Sequence, residues 1–86
     1  SMTNNLCPVC SYPDLSEPPY DDEGGASFEI CPCCGTEFGN DDWENSHETL
    51  RARWIADGMH WWSTNMPPPE GWNPETQLRQ GGGEKA

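Results

Sequence analysis

Two pairs of cysteines carry the clearest chemical signal in this chain. They lie in the stretches Cys7-Pro8-Val9-Cys10 and Cys31-Pro32-Cys33-Cys34-Gly35, which we call the first and second knuckle. In each knuckle, proline presets φ at the corner of a tight turn, and glycine after the last cysteine of the second knuckle permits a positive φ. The spacing C-x2-C-x20-C-x2-C lies at the edge of the range typical of tetrahedral zinc sites. We predict that Cys7, Cys10, Cys31 and Cys34 bind one metal ion.

The identity of the metal and the role of the fifth cysteine each have two interpretations. Zinc is the expected ion, but four thiolates in a tetrahedron also suit a single iron, as in rubredoxin. Cys33 stands inside the second knuckle, where we expect its side chain to point away from the metal as a bystander. The alternative is a redox-sensitive or ligand-swapping thiol, because a nearby metal can lower the pKa of a thiol.

The composition indicates a small domain that depends on the metal for stability. The chain has 86 residues, of which 33% are hydrophobic. A chain this short and polar buries little apolar surface, and a structural zinc can contribute about 10–16 kcal/mol of apparent binding free energy to folding. We predict a single zinc-ribbon-like domain over residues 1–80 and a disordered tail over residues 81–86.

Charge and hydropathy restrict the expected partners and compartment. The formal net charge is −11, and a field of that sign repels nucleic acids and anionic membranes. Residues 1–6 lack the apolar core of a secretory signal, and no stretch approaches the roughly 20 apolar residues of a membrane span. We therefore expect a cytoplasmic protein, in which thiols stay reduced and paired cysteines bind metal.

The second knuckle is flanked by a predicted strand pair. Residues 26–30 alternate apolar and polar side chains, as in a half-buried strand, and residues 36–38 are the expected antiparallel partner. The knuckle would then be the hairpin turn. The predicted class is a small α+β fold stapled by metal, with zinc-ribbon-like or rubredoxin-like knuckle hairpins, one packed C-terminal helix and a tail rich in tryptophan and proline.

Two helices are predicted after the second knuckle. Asn45 with Glu48 fits a capping box, and Gly58 fits the residue that follows a helix C-terminus. The apolar face of this helix would consist of His47, Leu50, Trp54 and Ile55. Asn73 as N-cap and proline at the first helical position predict a last short helix over residues 74–80.

The tryptophan-rich segment has a structural and a functional interpretation. Trp61, Trp62 and Trp72 flank or follow a run of three prolines, and the chain has five tryptophans in all. A chain with few aliphatic residues has to build its core from tryptophan, so we favour an internal role. The alternative is an exposed aromatic surface at Trp61, Trp62 and Trp72 that binds a basic protein partner.

Catalysis has little support in the sequence. A four-cysteine zinc site is closed and leaves no position for water or substrate. His47 and His60 could act as bases, but no nucleophile or oxyanion-hole motif accompanies them. We therefore predict no catalytic residues.

The two knuckles resemble the bacterial cysteine-rich CPCC family, chiefly through Cys31-Pro32-Cys33-Cys34-Gly35 together with Cys7-Pro8-Val9-Cys10. The acidic Pro-Pro-Tyr loop, Phe38-Gly39 and Trp61-Trp62-Ser63 are similar as well. The resemblance covers about residues 7–78 and implies a small zinc-ribbon-like or rubredoxin-like protein without an assigned activity. Ser11 departs from the usual glycine after the first knuckle.

The leading functional hypothesis is a non-enzymatic zinc-binding protein with a structural four-cysteine site that serves as a protein-interaction module. The alternatives are a rubredoxin-like iron electron-transfer protein and a thiol-based redox sensor that uses Cys33. A fourth hypothesis is an acidic inhibitor that covers a basic site on another protein; it depends on net charge alone.

Overall fold

Three helices and two isolated β-bridges form the regular structure in the computed structural model, which describes residues 5–81. The helices are α1 (Asp41–Glu44), α2 (His47–Ala56) and α3 (Pro74–Gln80). The bridges are antiparallel and join Tyr20 to Ala26 and Ile30 to Glu37. Within this part of the chain no helix combines the length and the apolar character that crossing a bilayer requires.

Only a single β-bridge of the predicted strand pair around the second knuckle is present. The Ile30–Glu37 bridge is flanked by bonds from Cys31 N to Thr36 O (3.0 Å) and from Phe38 N to Glu29 O (3.2 Å). The prediction of a continuous strand over residues 26–30 is wrong, because Phe28 has φ of 59° and turns the chain out of the extended region. The alternation of side chains is lost there, and Phe28 is 60% exposed.

The second helix begins one residue later than the capping-box pattern predicts. Ser46, not Asn45, is the N-cap, and its hydroxyl accepts a hydrogen bond from Thr49 N at 3.0 Å. Asn45 instead ends α1, a four-residue helix that the sequence does not predict. The predicted end is confirmed, because Gly58 follows the C-cap with φ of 104°.

The C-terminal helix matches its prediction at both ends. Asn73 Oδ1 accepts a hydrogen bond from Thr76 N at 2.9 Å, and Pro74 opens α3. Its buried side chain is the polar Gln77, while the apolar Leu78 is only partly buried. The helices α2 and α3 correspond to the two predicted helices, and α1 is an addition to them among the described residues. Gly81 caps α3, and the rest of the predicted tail lies outside the described residues.

The core lies around the two knuckles. Its buried hydrophobic members are Cys7, Val9, Cys10, Tyr12, Leu15, Cys31, Cys33, Phe38 and Trp54. The rings of Trp61 and Trp72 meet edge to face at 5.3 Å between centroids, and Trp61 meets Tyr12 at 5.6 Å. These aromatic contacts attach the C-terminal segment to the first knuckle.

A buried carboxylate connects the long acidic loop to α1 and α2. The Asp42 side chain is 2% exposed and accepts hydrogen bonds from the Tyr20 hydroxyl and from Gly39 N (2.7 Å), and its Oδ2 lies 2.9 Å from His47 Nε2. Burial pushes the pKa of Asp42 upward, but these hydrogen bonds outweigh it and hold the pKa below its usual value. Burial and the bond to Asp42 raise the pKa of Tyr20 to about 12.

Replacing this carboxylate should destabilise the fold in a pH-dependent way. Asp42→Asn should lower the free energy of unfolding at pH 7 by about 1–3 kcal/mol, because buried donors lose a charged acceptor. Because the pKa of Asp42 is lower in the folded than in the unfolded protein, its carboxylate stabilises the fold at pH values above the unfolded pKa near 3.9. This stabilisation is lost as the pH falls through the folded-state pKa. The difference between wild type and variant should therefore persist to about pH 5 and shrink below about pH 4 in urea denaturation.

The matched control for this experiment is Asp22→Asn, which changes an exposed acid in the same loop region. It should alter stability by less than about 0.5 kcal/mol. Comparing both variants with wild type removes the effect of thiolate protonation, which all three proteins share, at each pH where all three are still folded before urea is added. Equal stability of Asp42→Asn and Asp22→Asn would contradict the role given to Asp42.

Candidate metal centre

The first knuckle is a tight turn closed by two backbone hydrogen bonds. Cys7 N donates to Tyr12 O at 2.8 Å, and Ser11 N donates to Cys7 O at 2.9 Å. Ser11 has φ of 71°, in the left-handed region where glycine is usual. Serine in place of the usual glycine therefore leaves the turn intact, although its left-handed backbone conformation costs about 1–2 kcal/mol.

The second knuckle repeats the same turn at the corresponding positions. Cys31 N donates to Thr36 O at 3.0 Å, and Gly35 N donates to Cys31 O at 2.8 Å. Gly35 has φ of 81°. The two turns thus present their cysteine pairs in equivalent backbone settings, as a site assembled from two halves requires.

The four predicted ligand cysteines come together in the structure. Their sulfur atoms all lie within 4.8 Å of one another. Across the two knuckles, Cys7 Sγ is 3.8 Å from Cys34 Sγ, and Cys10 Sγ is 3.7 Å from Cys31 Sγ. A tetrahedron with metal–sulfur bonds of about 2.3 Å has edges of about 3.8 Å. The four sulfurs therefore fit a single four-coordinate metal ion, and metal binding itself stays a prediction.

The sulfur atoms influence one another's proton affinity. The hydrogen bond with Cys31 raises the pKa of Cys10, and the hydrogen bond with Cys10 lowers the pKa of Cys34. Cys7, Cys10 and Cys31 are fully buried, and Cys34 is partly exposed. Because four thiolates in one buried site repel each other, the cluster retains protons unless a cation replaces them.

An arginine of α2 holds the backbone of the first knuckle. Arg51 Nε donates to Val9 O at 2.8 Å, and its NH2 nitrogen donates to Pro8 O at 2.7 Å. The side chain thus supplies charged donors to two successive carbonyls of the tight turn. Nothing in the helical pattern of residues 45–58 distinguishes this arginine from its neighbour Arg53.

A glutamine of α3 connects both knuckles to the aromatic cluster. Gln77 Nε2 donates to Cys10 O at 2.8 Å and lies 3.4 Å from Cys33 Sγ, while Gln77 Oε1 accepts from Trp72 Nε1 at 2.8 Å. Cys33 is fully buried and lies outside the group of four sulfurs. Its thiol therefore packs against Gln77 of α3 and is not at the surface.

The tryptophan segment lies along the second knuckle. Trp62 N donates to Cys33 O at 3.0 Å, and Ser63 N donates to Pro32 O at 2.9 Å. The Trp62 indole covers Gly35, where an added Cβ would lie only 2.5 Å from ring atom Cδ1. Gly35 is thus required twice, by its positive φ and by this close approach.

The two histidines lie apart from the sulfur cluster. His47 contacts Asp42, and His60 is exposed, with its backbone oxygen accepting from Trp54 Nε1 at 3.0 Å. Trp61 and Trp72 are partly buried in the aromatic cluster, whereas Trp62 is 54% exposed. The structure therefore separates the three tryptophans that the sequence groups together.

Comparison with known proteins gives a distant relative. The chain is 32% identical to the uncharacterized protein YoaQ of Bacillus subtilis (strain 168) in an alignment that covers 62% of this chain. The chain spans 58% of the length of YoaQ. No protein-family model matches the chain, and no solved structure matches it. The resemblance to the CPCC family therefore stays an interpretation of the sequence.

Removing the Gln77 amide should loosen the attachment of α3 to the knuckles. In Gln77→Ala the Cys10 carbonyl and the Trp72 indole N–H each lose a partner. Each unsatisfied buried group costs about 1–3 kcal/mol, so the free energy of unfolding should fall by at least about 2 kcal/mol. Urea denaturation followed by tryptophan fluorescence measures this loss.

Gln80→Ala is the matched control, because Gln80 is an exposed glutamine at the end of the same helix. It should change stability by less than about 0.5 kcal/mol. If both alanine variants unfold at the same urea concentration as the wild type, Gln77 does not hold the knuckles as described.

Proposed function

We propose that this protein is a non-enzymatic zinc-binding module of zinc-ribbon-like or rubredoxin-like type, in which Cys7, Cys10, Cys31 and Cys34 hold a structural metal ion. The observation that carries this proposal is the set of sulfur distances, 3.7 and 3.8 Å across the knuckles, which suit a tetrahedral thiolate site. Zinc bound by four thiolates would have no open position for a substrate, so its contribution would be to folding.

The surroundings of the sulfurs support a structural role. The core is built around the knuckles, and side chains from α2 and α3 bind the knuckle backbone directly. Cys33 is buried beside Gln77, which disfavours the alternative of an oxidant sensor, because thiol oxidation depends on exposure. An iron electron-transfer protein is the remaining alternative, because iron accepts the same four-thiolate tetrahedron.

We further propose that the module acts by binding another protein. The net charge of −11 supports a basic partner, which would be attracted at long range and retained by local contacts. Half-exposed apolar side chains such as Trp62 and Met66 supply contact area that the core does not use.

Elemental analysis of protein from ordinary growth medium tests the metal part of this proposal. We expect one zinc per chain and no visible absorption band. Cys31→Ser should weaken metal binding by at least about tenfold, because it removes one of four ligands. Cys33→Ser should retain full stoichiometry, because its sulfur lies outside the group of four.

The contrary results are distinct. One iron per chain with visible charge-transfer bands would replace the zinc module by an electron-transfer protein. Absence of any metal, or equal metal loss in Cys31→Ser and Cys33→Ser, would overturn the assignment of the four ligands.

A further inference from the structure

Three exposed apolar side chains line one cleft beside the second knuckle. Ile30, Trp62 and Met66 are 44%, 54% and 48% exposed. They share a cleft of about 270 Å³, called here the Trp62 cleft. Its remaining lining residues are Asp14, Ser16, Glu29, Pro32 and Ser63. Large apolar side chains gathered in one concave place are typical of interaction sites on small soluble proteins.

The apolar side chains of the Trp62 cleft are held in place by contacts within the chain. Trp62 is attached through its backbone N–H to Cys33 O, and its ring lies against Gly35. Met66 N donates to Ser63 Oγ at 3.0 Å, and Met66 O accepts from Trp61 Nε1 at 2.6 Å. A preformed surface binds with a smaller loss of conformational entropy than a mobile one.

The remaining walls of the cleft are acidic. Asp14 and Glu29 line it, and its described lining contains no lysine, arginine or histidine. Glu29 Oε2 accepts from Ser16 N at 3.0 Å and from Ser16 Oγ at 2.9 Å. Glu29 Oε1 is buried without a hydrogen-bond partner among the described residues. The lining of the cleft thus combines apolar side chains with two acidic residues, Asp14 and Glu29.

Other exposed aromatic residues have poorer surroundings. Trp43 is 82% exposed, but the cleft beside it is lined otherwise by glycine and by polar or acidic residues of the α1 region. Trp61 and Trp72 are engaged with each other and with Tyr12. Trp72 lines another cleft with Pro13, Pro69 and Asp14, but its own ring is partly buried, whereas Trp62 is 54% exposed and shares its cleft with exposed Ile30 and Met66.

We propose that the Trp62 cleft binds a protein segment that presents an aliphatic or aromatic side chain next to lysine or arginine. The apolar side chain contacts Ile30, Trp62 and Met66, and the cation faces Asp14 and Glu29. This site deepens the interaction half of the proposed function and rests on it. A second copy of the chain is the poorer occupant, because it carries the same net charge of −11.

A peptide selection tests this proposal with a defined probe. Random dodecapeptides displayed on phage are selected against the zinc-loaded full chain, and enriched peptides are synthesised and measured by fluorescence anisotropy. We expect sequences that combine a basic residue with a large apolar one. Trp62→Ala should weaken their binding by at least about tenfold. Asp14→Asn should weaken peptide binding less than Trp62→Ala does, and mainly at low salt. A charge at the rim of an interface chiefly changes the association rate, and salt screens its effect.

Trp43→Ala is the matched control, since it removes a more exposed tryptophan elsewhere on the surface. It should leave the affinity unchanged within about twofold. Zinc content and the dispersion of amide resonances are recorded for each variant, so that loss of binding is read only from folded, metal-loaded protein.

Several outcomes would overturn the Trp62 cleft as the site. These are a selection that enriches nothing, enriched peptides that are acidic or purely apolar, and equal loss of binding in Trp62→Ala and Trp43→Ala. A dimer in sedimentation that Trp62→Ala abolishes would make a second copy the occupant. Peptides that depend on Trp43 would overturn the cleft and leave the interaction module intact. Zinc stoichiometry reports on the metal site independently of all these results.

Discussion

The mutual repulsion of four thiolates is the constraint on which the rest of the structure depends. Two unit charges 4 Å apart repel by about 4 kcal/mol at an effective dielectric constant of 20, and the four sulfurs here lie within 4.8 Å of one another. Such a cluster forms only when a cation or protons neutralise it. Protons remove the repulsion but leave only weak S–H hydrogen bonds across the two knuckles, so we propose that their folded arrangement depends on a bound metal ion.

Much of the remaining structure is attached to the two knuckles. Four of the nine buried hydrophobic residues are cysteines, so the core contains few apolar groups that would stay buried without the knuckles. Arg51 of α2, Gln77 of α3 and the backbone at Trp62 all bind knuckle groups. The backbone contact of Trp62 with Cys33 therefore also positions the Trp62 cleft beside the second knuckle.

Local patterns predicted what depends on local chemistry. The cysteine spacing identified the four sulfurs that meet, and Asn73-Pro74 identified the start of α3. The pattern failed at Phe28, because nothing in an alternating segment signals a left-handed residue. The roles of Arg51 and Gln77 could not be predicted, since their side chains bind carbonyls 42 to 67 positions away in the chain. Such contacts appear only once the fold has brought the segments together.

The most direct test of the coupling between metal and fold is a chelation experiment followed by nuclear magnetic resonance. The indole N–H resonances of the tryptophans are recorded before and after a strong chelator is added in the presence of reductant, which keeps disulfides from forming. We predict that these resonances collapse to the values of unfolded chain and regain their dispersion when one equivalent of zinc is restored. Dispersed resonances in the metal-free, reduced protein would contradict the central claim, because the knuckles would then fold without a cation.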